Sequence, residues 1–318
     1  MNARMCLAPA RDRAPGWLAS RGLASLLAAC GGGAAAADAA LDGGAAIDAA
    51  PGCGCTLGAP ALTGTITLAA ADELSGLAVS RARPGVIWTH DDGAATDLFA
   101  FSLDGTSRGA LHLAGADTID LEDLAIAPCG ASWCLYAGDL GDNDLTRTSV
   151  AVYEVVEPAT TIGTVDVTWR RFEIAYPDGP HDAEALIVDP RDGGFYAITK
   201  VQGGASAIYR LPRVASGIAT AERVGSFTPP SGDARVTAAD LAIDSCGARL
   251  LIRTHDRLFE LAGAEGVTIA GLFQAAPVRV PVADEDQGEA VGFDVDGRGY
   301  VTTGEGIAPA LSAVSCAP

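Results

Sequence analysis

The sequence predicts an all-β fold, a β-propeller of five blades. Three observations carry that expectation. First, a short phrase recurs five times: SGLAVS from Ser75, EDLAIA from Glu122, EALIVD from Glu184, ADLAID from Ala239 and EAVGFD from Glu289. Second, matching Leu77, Leu124, Leu186, Leu241 and Val291 spaces the copies 47, 62, 55 and 50 residues apart. That is the period of a unit holding about four strands. Third, each interval contains further short apolar runs, separated by turns with Gly or Pro.

Taken in order, the chain opens with a targeting segment, residues 1–29. Arg4, Arg11, Arg13 and Arg21 make a basic start, and Leu18 to Ala29 is apolar but too short to span a bilayer. The run ends Leu27-Ala28-Ala29-Cys30-Gly31, which resembles the bacterial lipoprotein signal. That resemblance implies cleavage before Cys30, lipidation of Cys30, and anchoring to the cell envelope at the outer membrane. The alternative is an ordinary signal peptide. Residues 30–52 are mostly Ala, Gly and Asp without periodicity, a flexible tether. Residues 53–318 form the propeller domain.

Within that domain the first unit continues with GVIWTHDD, DLFAFSLDG and GALHLAG. The second has CLYAGD, VAVYEVV and WRRFEIAY; the third has GFYAITK, SAIYRLP and ERVGSF. The fourth has LLIRTH, RLFELAG and PVRVPVA. The fifth has only GYVTTGEG and PALSAVS, one strand short. Thr63 to Ala70, TGTITLAA, has no unit of its own and can supply the missing strand, closing the ring with the N-terminus. A sixth blade stays open if the long second or third unit hides an irregular one, and a twisted sandwich is the third arrangement.

Eight cysteines are present. With Cys6 removed and Cys30 lipidated, six remain, an even number that implies disulfides in an exported chain. Cys129 and Cys134 flank one tight turn and are expected to pair. A bridge from Cys53 or Cys55 to Cys316 would join the chain ends. The formal charge of −19 excludes nucleic acid as a partner and permits cations; it also serves plain solubility.

The antiparallel pairing of first and second strands places every first-strand start and second-strand end on one face. That face collects Glu73, Ser75, Glu122, Asp123, Asp182, Glu184, Asp240 and Glu289 from the starts. From the ends it collects His90, Asp91, Asp92, Asp139, Asp142, Asn143, Lys200, Arg253, His255 and Glu305. His181 and Arg147 flank it. Carboxylates on innermost strands would line a central channel, repel one another and hold their protons more tightly. Oxygen donors with little sulfur or imidazole suit Ca²⁺ or Mg²⁺. The expected ligands are Glu122, Asp123, Asp139, Asp142, Asn143, Asp182, Glu184, Asp240, Glu289 and Glu305. The Asp139 to Asp144 loop does not have EF-hand spacing.

LEDLAIAP, the GDLGDN loop through Arg147, HDAEALIVDP with ITK, ADLAI with LLIRTH, and QGEAVGF with TTGEG together resemble a family of exported bacterial propeller proteins, largely uncharacterised. The resemblance spans Leu74 to Glu305. It extends distantly to esterase-like and phytase-like propellers and calcium-dependent lactonases, which implies a divalent ion at the channel mouth and ester hydrolysis.

On the residues, two functions are expected to compete. One is a metal-dependent hydrolase of phosphate or carboxylic esters. In it His181 or His255 moves a proton, and Arg147, Lys200 and Arg253 hold an anionic group. No G-x-S-x-G elbow points to a serine hydrolase. The other is a non-catalytic surface module with a structural ion, binding a glycan or an envelope protein at its rim.

Overall fold

Five sheets of four or five strands, with one two-stranded sheet beside them, make up the folded part of the chain in this computed structural model, which describes residues 54–68, 73–160 and 163–317. The targeting segment, Cys30 and the tether lie outside the described residues. Each sheet starts with an innermost strand bearing one copy of the repeated phrase: Leu74–Val79, Leu121–Cys129, Ala183–Val188, Val236–Asp244 and Gly288–Phe293. These five strands pack each against the next, and the fifth packs against the first. The result is a closed propeller of five blades, so neither a sixth blade nor a sandwich forms.

Small and branched apolar residues on both faces of the inner strands make this ring. Each blade interface buries its own apolar cluster. Leu124 and Tyr153 lie between blades 1 and 2, Tyr136 and Phe195 between blades 2 and 3, and Ile187 and Phe259 between blades 3 and 4. Leu251 and Phe293 fill the next interface, and Leu77 and Ile66 the last. Burying one such side chain contributes roughly 1.5–3 kcal/mol.

Blade 5 takes its outer strand from the N-terminus, as expected. Ala61–Thr65 pairs antiparallel with Ala310–Val314, a few residues earlier than the sequence suggests. Beyond it, Thr56–Leu57 pairs with Cys316–Ala317, and Cys55 and Cys316 form a disulfide. Cys129 and Cys134 are also bridged.

The extra length of units two and three has a different use from an added blade. Thr164–Asp166, from unit two, runs parallel to Ser107–His112 at the edge of blade 1. Ile218–Thr220, from unit three, does the same for Trp169–Ala175 of blade 2. Each covers an edge that would otherwise expose unpaired amides.

All five blades share an irregularity. The register between first and second strands slips once, between Ser75 and Ala78, Leu121 and Asp123, Ala183 and Ala185, Val236 and Ala238, and Gly288 and Ala290. Bulges re-aim side chains. These fall at the same end of every inner strand, and in blades 2, 3 and 5 the bulged residue is a glutamate: Glu122, Glu184 and Glu289.

Candidate metal centre at the channel mouth

The regular placement of the blades turns single positions into rings. The residue before each inner strand gives Glu73, Asp120, Asp182, Arg235 and Gln287. The second residue of each inner strand gives Ser75, Glu122, Glu184, Thr237 and Glu289. The residue after each second strand gives Asp92, Leu140, Lys200, His255 and Glu305. Most of these surround one cavity of about 270 Å³ that draws on all five blades.

Two groups of carboxylates converge there. Asp92, Asp120 and Glu122 each offer an oxygen within 4.8 Å of the others, and so do Glu122, Asp182 and Glu184. Glu122 belongs to both. It is 5% exposed, and its carboxylate receives no hydrogen bond or ion pair from any described residue. Burial first, then Glu184 and Asp92, push its carboxyl well above the usual range. Burial does the same to Glu184, against the pull of Lys200, whose ammonium is paired with it. Asp120 is raised to about 6 by burial and by Asp92 and Asp182. A side chain at Gly141 would collide with Glu122 Oε1 and Asp120 Oδ2, so glycine there lets the loop close over the carboxylates.

On the other side of the cavity Glu289 and His255 approach each other. Burial raises Glu289 to about 7, with Lys200 opposing. His255 Nε2 lies 3.4 Å from Glu289 Oε1 and has no hydrogen-bond partner. Burial, then Arg235 and Lys200, lower its imidazole to about 4, so it is neutral. Gln287 donates to Glu305, and Asn143 lines the wall.

Several expected ligands lie elsewhere. Asp123 is fully buried beneath the mouth. Its oxygens accept amides from three successive blades: Leu124 at 2.8 Å, Leu186 at 2.8 Å and Ala239 at 3.2 Å. Asp240 accepts from Leu241 and Phe293 in the same manner. Like Asp123, with which the phrase match aligns it, it lies below the ring of second residues; the bulge of blade 4 is at Thr237, whose hydroxyl bonds Gly288 O at 2.7 Å. Asp139 is taken by the amides of Ile119 and Asp120 and by Arg147 at 3.0 Å. Asp142 is taken by the amides of Thr146 and Arg147.

The proposed anion-holding and proton-moving residues also divide. Lys200 and His255 line the cavity. Arg253 does not: it is fully buried, paired with Glu285 at 2.8 Å, and lies against the bare backbone of Gly288. Arg147 clamps the Gly141 carbonyl and Asp139. His181 sits with Arg147 and Tyr176 in a separate pocket of about 220 Å³, where Asp178 and Tyr209 bond its Nε2. Asp120, Arg235 and Gln287 were missed by sequence reasoning; each directly precedes an inner strand, a signal that needs the strand starts to be known.

The opposite face bears a wider bay of about 740 Å³ around the Cys129–Cys134 turn. Its charges are paired among themselves, Arg170 and Arg213 with Glu154 and Arg191 with Asp189.

No family model matches the chain, and no curated protein matches it. Among solved structures, a glucose dehydrogenase is similar at 10% identity and a TM-score of 0.48, covering 81% of this chain and 99% of that one. A second glucose dehydrogenase reaches 11% and 0.46, covering 81% and 99%. A gluconolactonase from Xanthomonas campestris reaches 12% and 0.45, covering 82% and 98%.

Proposed function

We propose that this propeller binds a divalent cation at its channel mouth and hydrolyses an ester there. The observation that supports it is Glu122: a buried carboxylate, converging with four others, with no hydrogen bond or ion pair from any described residue. An isolated buried charge is costly, and a cation is the group that offsets it. Oxygen donors alone suit Ca²⁺ or Mg²⁺. Asp92, Asp120, Glu122, Asp182 and Glu184 are the residues that would hold it. Bound there, the ion supplies Lewis acidity and a more acidic water.

The remaining wall serves substrate and proton. Lys200 and Arg235 attract an anionic group. Glu289, raised to about 7, suits proton transfer at neutral pH better than His255, which is too acidic once protonated. The substrate class is a small anionic phosphate or carboxylic ester.

Anchoring belongs to the same proposal. Cleavage before Cys30, with lipid on that residue, would tether the propeller to the envelope, most simply at the outer membrane. The disulfides Cys55–Cys316 and Cys129–Cys134 support an oxidising compartment. Among the described residues no helix is long and apolar enough to cross a membrane.

The test is a melting curve and a hydrolysis assay on chelator-stripped protein, with nitrophenyl phosphate and acetate, with and without Ca²⁺ or Mg²⁺. A raised melting temperature with turnover supports the hydrolase. A raised melting temperature without turnover makes the chain a binding module for a glycan or envelope protein. No response to either ion overturns the metal reading.

A further inference from the structure

We propose that the mouth holds two divalent cations, with Glu122 as the carboxylate they share. This rests on the reading that the mouth takes a cation at all. The two carboxylate groups come from different blades and meet only at Glu122. Asp92 from blade 1 and Asp120 from blade 2 lie on one side, and Asp182 and Glu184 from blade 3 on the other. One ion held by Asp182, Glu184 and Glu122 would leave Asp92 and Asp120 facing each other without a paired cation, whereas Glu184 already has Lys200 and Asp182 the Asp142 amide.

Charge points the same way. Glu73, Asp92, Glu122, Glu184, Glu289 and Glu305 line the cavity, with Asp120 and Asp182 beside them. Against these stand only two cationic side chains among the described residues, Lys200 and Arg235. The formal excess is about six negative charges. One divalent ion offsets a third of it, and two offset most of it.

One observation outside the carboxylate count points to a ligand. His255 is buried in the same wall, with Nε2 unbonded and its lone pair available to an ion or to ion-bound water. A carboxylate whose two oxygens serve different ions spans the roughly 3.5–4 Å of paired-metal sites.

The experiment uses the full chain, stripped with chelator and titrated with Mn²⁺, followed by calorimetry and low-temperature electron paramagnetic resonance. Two equivalents with an exchange-coupled spectrum are expected. Asp182→Asn, and Asp92→Asn combined with Asp120→Asn, should each reduce binding to one equivalent with the six-line spectrum of an isolated ion. Glu122→Gln should abolish the coupling. Glu222→Gln, on the exposed outer strand of blade 3 and away from the cavity, should leave stoichiometry and spectrum unchanged. Melting of each ion-free variant checks that it folds. One equivalent in the unaltered protein overturns the pair and leaves the single-ion reading standing. Two equivalents without coupling overturn the bridge. No binding overturns both readings.

Discussion

Glu122 and Glu289 occupy equivalent positions in blades 2 and 5, yet their surroundings assign them different work. Glu122 faces carboxylates on both sides, the setting proposed to hold a cation. Glu289 faces His255 and Lys200 and keeps a proton near neutrality. Changing Glu289 to Gln should therefore lower kcat on a responsive ester by about 10²–10⁴, while the rise in melting temperature on adding cation persists. Changing Gly141 to Ala should do the reverse to the cation. The added methyl displaces Glu122 and Asp120, costs about 1–3 kcal/mol in urea unfolding, and weakens cation binding measured by calorimetry. At this scale the sequence was half legible. Glutamates at the head of repeated phrases stood out, because residue type and repetition can both be read directly. Asp123, Asp139 and Asp142 looked like equally good ligands, because a carboxylate that serves backbone amides has the same letters as one that faces a cavity.

The element that decides where a carboxylate points is the bulge at the start of each inner strand. A strand alternates faces every residue, so a shift of two keeps the apolar pattern and moves the side chain about 7 Å along the strand. Blade 4 shows the consequence. Pattern matching aligned Asp240 with Asp123, but Thr237 is the residue on the bulge. Hydrophobic spacing located the strands and could not locate their bulges, which depend on pairing with the second strand. Asp123 has its own role at this scale: one carboxylate joins the inner strands of blades 2, 3 and 4. Asp123→Ala would strand three buried amides and should cost about 3 kcal/mol or more, seen as a lower urea midpoint. Asp123→Asn should recover part of that loss, since the amide oxygen still accepts.

For the whole molecule, the expected blade count and closure hold because a period near 50 residues and a missing strand can both be counted in a sequence. The parallel edge strands at Thr164–Asp166 and Ile218–Thr220 could not be, since three residues carry no periodicity. Closure is reinforced by Cys55–Cys316, which spans 261 positions. Replacing both by Ser should destabilise the fold by up to about 5 kcal/mol, read as a lower melting temperature under oxidising conditions. Acidity acts on the molecule as a whole. Asp120, Asp240 and Glu289 hold protons in the ion-free fold up to about 6, 6 and 7, which an unfolded chain releases nearer pH 4. The ion-free fold therefore gains from these groups at acid pH and loses that gain as pH rises through their folded values. A bound cation wants Asp120 ionised, together with Glu122 and Glu184, whose carboxyls burial also raises. The difference in melting temperature between ion-loaded and ion-free protein should accordingly widen from pH 5 to pH 8. The N-terminal strand of blade 5 carries one more consequence, in time. Ala61–Thr65 leaves the ribosome before any blade exists, and its partner Ala310–Val314 emerges last. Throughout synthesis and any later passage across a membrane, that early segment is an orphan edge open to foreign strands. Whatever escorts the nascent chain must shield it until the final residues arrive.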